Sequence, residues 1–163
     1  MSRAFVKEND GDGPDDLPEL PLSPHPNYVT PRGLQLLQAR LQNAESERAG
    51  IDAGLVGALQ QRAHLQREMR WLQARIASAQ LVQRKGSARQ VGFGVLVELL
   101  DEQGHTLHYR IVGEDEADPE AGLVSWLSPL AQAIEGKQVG DEVVWPRPLG
   151  NLRVEIMRIE SDR

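Results

Sequence analysis

The side chains of this sequence that are suited to acid–base or metal chemistry are four histidines, a run of acids and one aspartate among glycines. The histidines are His25, His64, His105 and His108. An odd separation puts His105 and His108 on opposite faces of the predicted strand that carries them, so they form no metal-binding pair. Scattered surface histidine is the better interpretation. The acids of "GEDEADPE" (residues 113–120) miss the ligand spacing of an EF-hand, which indicates a solvated loop.

Asp52 lies in the stretch "GIDAGLVGAL" (residues 50–59), where three glycines interrupt an otherwise helical pattern. A glycine in a helix interior costs about 1 kcal/mol relative to alanine, so the stretch is either a turn or a weak point in one long helix. The chain has no cysteine, which excludes thiolate catalysis and is typical of a reducing cytosol. It also has no glycine-rich phosphate loop. We therefore predict that the chain is not an enzyme and has no cofactor or metal of its own.

The formal net charge of −6 is distributed unevenly. Residues 1–29 carry −4, residues 30–90 carry +6, and residues 91–163 carry −8. A basic middle part indicates an approach to an anionic partner, although an arginine-rich solvated helix face explains the charge equally well. No stretch has the run of about 18 apolar residues that a membrane span needs. The N-terminus also lacks the pattern of a secretory signal, so we predict a cytoplasmic protein with no membrane partner.

The first half of the chain predicts two helical arms over residues 28–82. Residues 1–27 form an acidic, proline-rich tail that we expect to be disordered. Thr30 is a good N-cap, and Pro31 suits the first helical position. Apolar residues then recur at 3-4 spacing on both sides of the glycines, which is the seam of a coiled coil. One long helix in a dimer would have the same phase; the glycines favour an antiparallel hairpin with its tip at about residues 50–57.

The second half predicts a small sheet domain over residues 91–160, after a polar linker at residues 83–90. The predicted strands have an apolar period of two and cover residues 91–99, 105–113, 122–126, 141–145 and 152–159. Between the third and fourth of these strands, Ser128 and Pro129 begin a short helix that ends at Gly136. We therefore predict an α+β fold in which one antiparallel sheet packs against one helix.

Several segments resemble the GreA/GreB family of bacterial transcript-cleavage factors, which act on RNA polymerase. The segments "IVGEDEAD", "GLVSWLSPLAQAIEGKQVGDEVVWP" and "PLGNLRVEIMRIE" are similar, in that order, to the family's C-terminal pattern. "YVTPRGLQLLQARL" (residues 28–41) resembles the family's entry into its first helix, and "REMRWLQARIASAQLV" (residues 67–82) resembles its second arm. The resemblance covers about residues 28–48 and 65–160.

This resemblance implies an FKBP-like C-terminal domain that docks at the rim of the polymerase secondary channel. The coiled-coil hairpin of a monomer would then enter the channel, with its basic side facing the nascent RNA. The docking contacts that the matching S-P-L-A segment implies are Ser125, Ser128, Pro129, Leu130 and Ala131. The arm residues expected to face nucleic acid are Arg62, Arg67, Arg70 and Arg75.

The tip departs from the family pattern. In the family, a G-D-x-x-E-N-A-E-Y segment presents paired carboxylates that help hold a catalytic magnesium ion of the polymerase; here the segment is "AGIDAGLVGAL", on arms that are shorter by roughly two turns. Asp52 is the candidate tip acid and Glu47 a weaker one. We predict a polymerase-binding regulator of transcription elongation without efficient cleavage. The alternative is a cleavage cofactor that uses Asp52 to help hold the polymerase-bound Mg²⁺.

Overall fold

The computed structural model describes residues 17–84 and 88–161. The helices are α1 (Pro31–Ala49), α2 (Ala58–Ser78) and α3 (Pro129–Ile134), with a 3₁₀ turn at Pro119–Ala121. The strands are β1 (Tyr28–Val29), β2 (Gln80–Leu81), β3 (Leu96–Asp101), β4 (Thr106–Val112), β5 (Leu123–Ser125), β6 (Glu142–Trp145) and β7 (Leu152–Glu160). The predicted α+β class is confirmed, whereas the coiled-coil and FKBP-like descriptions remain predictions.

The two long helices begin and end at residues whose backbone chemistry favours a boundary. At the start of α1, the Thr30 hydroxyl accepts a hydrogen bond from the Gly33 N–H at 2.9 Å. Pro31 lacks an N–H, but it occupies the first turn, where a backbone N–H would have no partner within the helix. α1 ends at Ala49, and the chain turns through residues 50–57. Gly57 has a φ of 82°, a left-handed conformation that glycine adopts without a Cβ clash, and α2 follows directly.

α1 and α2 pack against each other as antiparallel neighbours around a narrow apolar core. Leu37 from α1 and Leu72 from α2 are 2% and 0% exposed, and Leu34 and Ile76 pack against the same cluster. Nearer the tip, Arg40 Nη2 and Glu68 Oε1 form an ion pair at 2.9 Å. These two contacts show that the helices run antiparallel. Apolar burial on one stripe of each helix is the main source of stability for such a pair.

The two ends of the hairpin meet in a short parallel ladder. β1 pairs with β2, with Tyr28 opposite Gln80 and Val29 opposite Leu81. The prediction extended the second helix to residue 82, but α2 ends at Ser78 and the next residues join this ladder instead. The Val82 N–H donates to the Val29 carbonyl at 2.9 Å, which continues the ladder by one bond. The chain therefore enters and leaves the hairpin at one place.

The second sheet has the strand order β5-β4-β3-β7-β6. The prediction of a wholly antiparallel sheet is wrong at one edge, because β5 runs parallel to β4, with Ile111 opposite Val124. A tight turn of a few residues would make an antiparallel hairpin. Residues 113–122 are long enough to carry the chain back along β4 first, and they include the 3₁₀ turn.

The core of this unit lies between the sheet and α3. Leu99, Ile111 and Ile156 from the sheet and Ile134 from α3 are each 0% exposed. β3 begins at Leu96, later than the predicted residue 91, because the Val95 N–H bonds back to the Gly92 carbonyl at 3.3 Å in a turn. Among the described residues, no helix is long and apolar enough to cross a membrane.

Residues 17–27 differ from the predicted disordered tail. The Trp71 indole N–H donates to the Pro21 carbonyl at 3.1 Å, and the Ser23 hydroxyl donates to a Glu114 carboxylate oxygen at 3.0 Å. Asn27 is only 5% exposed. These partners lie far away in sequence, so a local reading of polarity and proline content does not reveal them. The rest of the predicted tail, residues 1–16, and residues 85–87 of the predicted linker lie outside the described residues.

We expect Leu72→Ala to lower the free energy of unfolding by about 2–5 kcal/mol, because it leaves a cavity in the middle of the hairpin core. Leu36→Ala is the matched control, since Leu36 is on the neighbouring helix and 41% exposed, and it should change stability by less than about 1 kcal/mol. Urea unfolding followed by circular dichroism measures both. Equal effects of the two substitutions would contradict the core assignment.

Candidate functional site

The tip of the hairpin carries a single candidate acid, Asp52. Its Oδ1 accepts a hydrogen bond from the Gly54 N–H at 2.9 Å, which is an Asx-type turn that shapes the loop. Arg62 Nη2 donates to the Ile51 carbonyl at 2.8 Å from the first turns of α2. Arg62, predicted to face nucleic acid, therefore also holds the tip backbone in place.

The surface around Asp52 is apolar rather than acidic. Leu55 and Leu59 are 65% and 68% exposed, and Val56 is fully exposed. The other candidate acid, Glu47, is exposed in the last turn of α1, before the loop begins. Within residues 17–84 and 88–161, no three His, Asp or Glu side chains are grouped so that they could hold a metal ion. The tip thus presents one carboxylate among aliphatic side chains.

Arg75, the fourth arginine predicted to face nucleic acid, is instead buried at the base of the hairpin, with 3% exposure. Its Nε donates to Asp115 Oδ2 at 2.7 Å and its Nη2 donates to Asn27 Oδ1 at 2.8 Å. Glu114 adds a longer ion pair at 3.8 Å. A buried guanidinium needs such partners, because an unpaired buried charge costs several kcal/mol. Arg75 therefore joins the hairpin to the sheet unit and is not available to an RNA chain.

Glu116 makes the second polar connection between the hairpin and the sheet unit. Glu116 is 7% exposed. Its carboxylate accepts a hydrogen bond from the Thr30 hydroxyl at 2.5 Å and pairs with Arg32 Nη1 at 3.0 Å. The prediction that residues 113–120 form a solvated loop is thus wrong for its first half. Gly113 belongs to the same junction, since a Cβ there would overlap the Tyr28 carbonyl oxygen. The N-cap pattern identified Thr30, but nothing local indicated its partner 86 residues away.

The two remaining predicted arm residues, Arg67 and Arg70, lie under the segment that precedes the hairpin. Arg70 Nη2 and Glu19 Oε1 form an ion pair at 2.7 Å, and Arg67 Nη1 donates to the Pro18 carbonyl at 3.4 Å. The hydrogen bond from Arg70 lowers the pKa of Glu19 below its ordinary value, and the charges of Arg70 and Arg67 act in the same direction. The basic face of the arm is therefore already in contact with residues of the same chain, among them the carboxylate of Glu19.

The five predicted docking residues divide into exposed and buried groups. Pro129 is exposed at the first position of α3, and Ser125 and Ser128 are half-buried. Ser128 is the N-cap of α3 and accepts from the Ala131 N–H at 3.2 Å. Leu130 and Ala131 are each 1% exposed, so these side chains fill the core and are not contacts for a partner. Leu130 and Ala131 lie four and three positions before the buried Ile134, so the three residues share the helix face that packs on the sheet.

The exposed histidines of the sheet unit have local carboxylate partners. His105 Nδ1 lies 3.1 Å from Asp101 Oδ2, and His108 Nε2 lies 3.1 Å from Glu98 Oε2. Backbone hydrogen bonding from His105, followed by the side-chain bond and charge of the same residue, lowers the pKa of Asp101. His105 precedes β4 and pairs with the last residue of β3, whereas His108 lies on β4 directly opposite Glu98 of β3. The two histidines therefore belong to separate pairs, in agreement with the interpretation of scattered surface histidine.

We expect Arg75→Ala to lower the free energy of unfolding by about 3–5 kcal/mol, because it leaves the Asp115 carboxylate and the Asn27 amide without their shared donor. Arg153→Ala removes an exposed arginine whose carboxylate partners are 3.8 Å away, and it should cost less than about 1 kcal/mol. Chemical denaturation of the two variants is the measurement. A loss at Arg75 no larger than that at Arg153 would contradict the role of the junction.

Comparison with known proteins adds independent evidence on the family. A family model described as the C-terminal part of the transcription elongation factors GreA/GreB matches residues 86–161. The chain is 34% identical over 124 residues to the transcription elongation factor GreA of Nitratidesulfovibrio vulgaris, with 75% of each chain covered. It is 35% identical over 153 residues to the transcription elongation factor GreB of Neisseria meningitidis, covering 82% of this chain and 93% of that protein.

Among solved structures, the chain is similar to the GreA factor homolog 1 of Thermus thermophilus. The sequence identity is 23%, the TM-score is 0.42, and the superposition covers 84% of this chain and all of the other.

Proposed function

The chain belongs to the GreA/GreB family of transcription elongation factors, and from this membership we propose that it binds bacterial RNA polymerase at the secondary channel and regulates elongation. In this proposal the sheet unit is an FKBP-like docking domain and the hairpin is a coiled-coil arm that enters the channel. The factor acts as a monomer in the cytoplasm, where the polymerase and its nascent RNA are found.

The polymerase contact that we propose is the start of α3. Pro129 is exposed there, and the adjoining Ser125 and Ser128 are partly accessible. Gln132, one turn further along, is also exposed, and its Nε2 donates to the Trp126 carbonyl at 2.8 Å, which ties the preceding loop to the helix. Because Leu130 and Ala131 anchor α3 in the core, the exposed residues are presented on a rigid support.

The single observation that carries the rest of the proposal is the composition of the tip. A magnesium ion at a polymerase active site is held by carboxylates together with phosphates and water, so a cleavage factor has to deliver its carboxylates at a defined position. Here Asp52 is one acid on a short loop, and the exposed side chains of the same loop include Leu55 and Val56. We infer that the factor occupies the channel without stimulating transcript cleavage efficiently.

The tip hypothesis is tested with stalled, backtracked polymerase that carries a 3′-labelled transcript. We expect the wild-type factor to release no short 3′ fragments above background and to inhibit an authentic cleavage factor in competition. Asp52→Ala should then behave like the wild type in both assays. Fragment release that is lost in Asp52→Ala and reduced in Glu47→Ala would instead support the alternative, a cofactor whose acids help hold the polymerase-bound Mg²⁺.

The docking hypothesis is tested with Pro129→Glu, which places a charge at the proposed contact. Glutamate is favourable in the first turn of a helix, so the fold should persist. We expect at least a tenfold loss of polymerase affinity in a pull-down titration, since an unpaired charge inside an interface is costly to desolvate. Pro119→Glu makes the same change at the exposed first position of the 3₁₀ turn and should bind normally. Equal affinity of the two variants would move the contact elsewhere.

A further inference from the structure

Residues 17–22, here called the strap, lie along one face of the arm. The Glu19 carboxylate accepts from Arg70 Nε at 2.9 Å, and the Pro18 carbonyl accepts from Arg67 Nη1 at 3.4 Å. The Trp71 indole N–H, one residue further along α2, donates to the Pro21 carbonyl. Residues three and four apart in a helix share a face, so the strap covers two arginines and a tryptophan that form one continuous surface.

The strap packs incompletely on this surface. A groove of about 550 Å³ that is open to solvent lies where the strap meets the helices, lined by Leu20 and Pro21 of the strap and by Arg40, Leu65 and Trp71 of the helices. Close-packed protein interiors leave few spaces of this size, so the strap covers its part of the arm less completely than a core segment would. Within the described part of the chain, the buried Arg67 Nε also has no hydrogen-bond partner. The covered face therefore retains an unused donor.

The strap is also held by weak electrostatic contacts. The side chains of Arg70 and Glu19 are 43% and 63% exposed, and exposed pairs of this kind contribute between about 0 and 1 kcal/mol. Physiological salt reduces that contribution further. A ligand with several phosphates gains more from the same arginines, because each guanidinium can bind two oxygens of one phosphate group.

We propose that the strap is a displaceable cover and that single-stranded nucleic acid takes its place on the arm face formed by Arg67, Arg70 and Trp71. Phosphates replace the Glu19 carboxylate on Arg70 and supply the missing acceptor at Arg67, and the Trp71 indole N–H, released from the Pro21 carbonyl, offers a further donor. This regulation rests on the proposed function, in which the nascent RNA lies beside the arm. The sequence before the strap, residues 1–16, contains five acids and two bases, so its charge also opposes a polyanion.

The competition is measured with a fluorescently labelled 12-nucleotide oligouridylate and the full chain, by anisotropy at low salt. We expect Glu19→Gln to bind this RNA about two- to fivefold more tightly than the wild type, as loss of one exposed ion pair implies. The matched control is Glu45→Gln on α1, which makes the same change in net charge at an exposed position of the arm. Only a gain in RNA affinity for Glu19→Gln that is larger than the gain for Glu45→Gln supports the proposal. Equal affinities, or no RNA binding by any variant, would overturn the proposal.

Displacement itself is measured with a fluorophore on the strap. The chain has no native cysteine, so Leu22→Cys, at a position 54% exposed, can be labelled with bimane, which tryptophan quenches on contact. We expect the bimane fluorescence of labelled Leu22→Cys to be quenched in the absence of RNA, and the additional substitution Trp71→Phe to relieve this quenching. Adding the RNA to labelled Leu22→Cys with Trp71 intact should restore the fluorescence. Unchanged fluorescence on saturation with RNA would overturn displacement. Neither experiment contains RNA polymerase, so their failure leaves the polymerase-binding proposal to its own tests.

Discussion

The position of the arm depends on one buried polar junction at the base of the hairpin. Arg75 and Thr30 on the hairpin side meet Asp115 and Glu116 on the sheet side, with bonds of 2.7 and 2.5 Å. Burying a guanidinium or a carboxylate alone is costly, so each group requires its partner in a defined geometry. An apolar contact of equal area would tolerate sliding and rotation. The junction thus specifies a direction for the arm in addition to stabilising it.

That direction matters because the arm amplifies small errors. A helix rises by about 1.5 Å per residue, so the nineteen residues of α1 span roughly 28 Å. A change of a few degrees at the base moves the tip by more than an ångström. The Trp71 ring, with Arg75 at 5.9 Å from its centroid on α2, extends the junction towards the middle of the arm. Rigidity at the base is therefore a requirement for any function that the tip performs inside a partner.

Local signals in the sequence identified much of the fold and little of the junction. Thr30 and Pro31 indicate the start of α1, and the alternation of apolar and polar residues up to Ile156 indicates β7, because these signals depend on neighbouring residues. The alternation stops at Met157, where the register between β7 and β3 shifts. The bonds of Arg75 to Asn27 and Asp115 join residues separated by 48 and 40 positions, and a single sequence carries no information on such pairs. The parallel direction of β5 depends on such a long-range pairing as well. Leu130 and Ala131 are a different case, because the resemblance implied that they are contacts whereas α3 uses them as core.

Because of the parallel ladder of β1 and β2, the length of the hairpin can change without a change in the sheet unit. Because the chain enters and leaves the hairpin between Tyr28 and Gln80, equal numbers of residues can be added to or removed from both helices without any change at the base. Seven residues per helix would move the tip by about 10 Å while preserving the apolar stripe. The hairpin behaves as an exchangeable module, in which length and tip chemistry can vary separately from the surfaces that hold it.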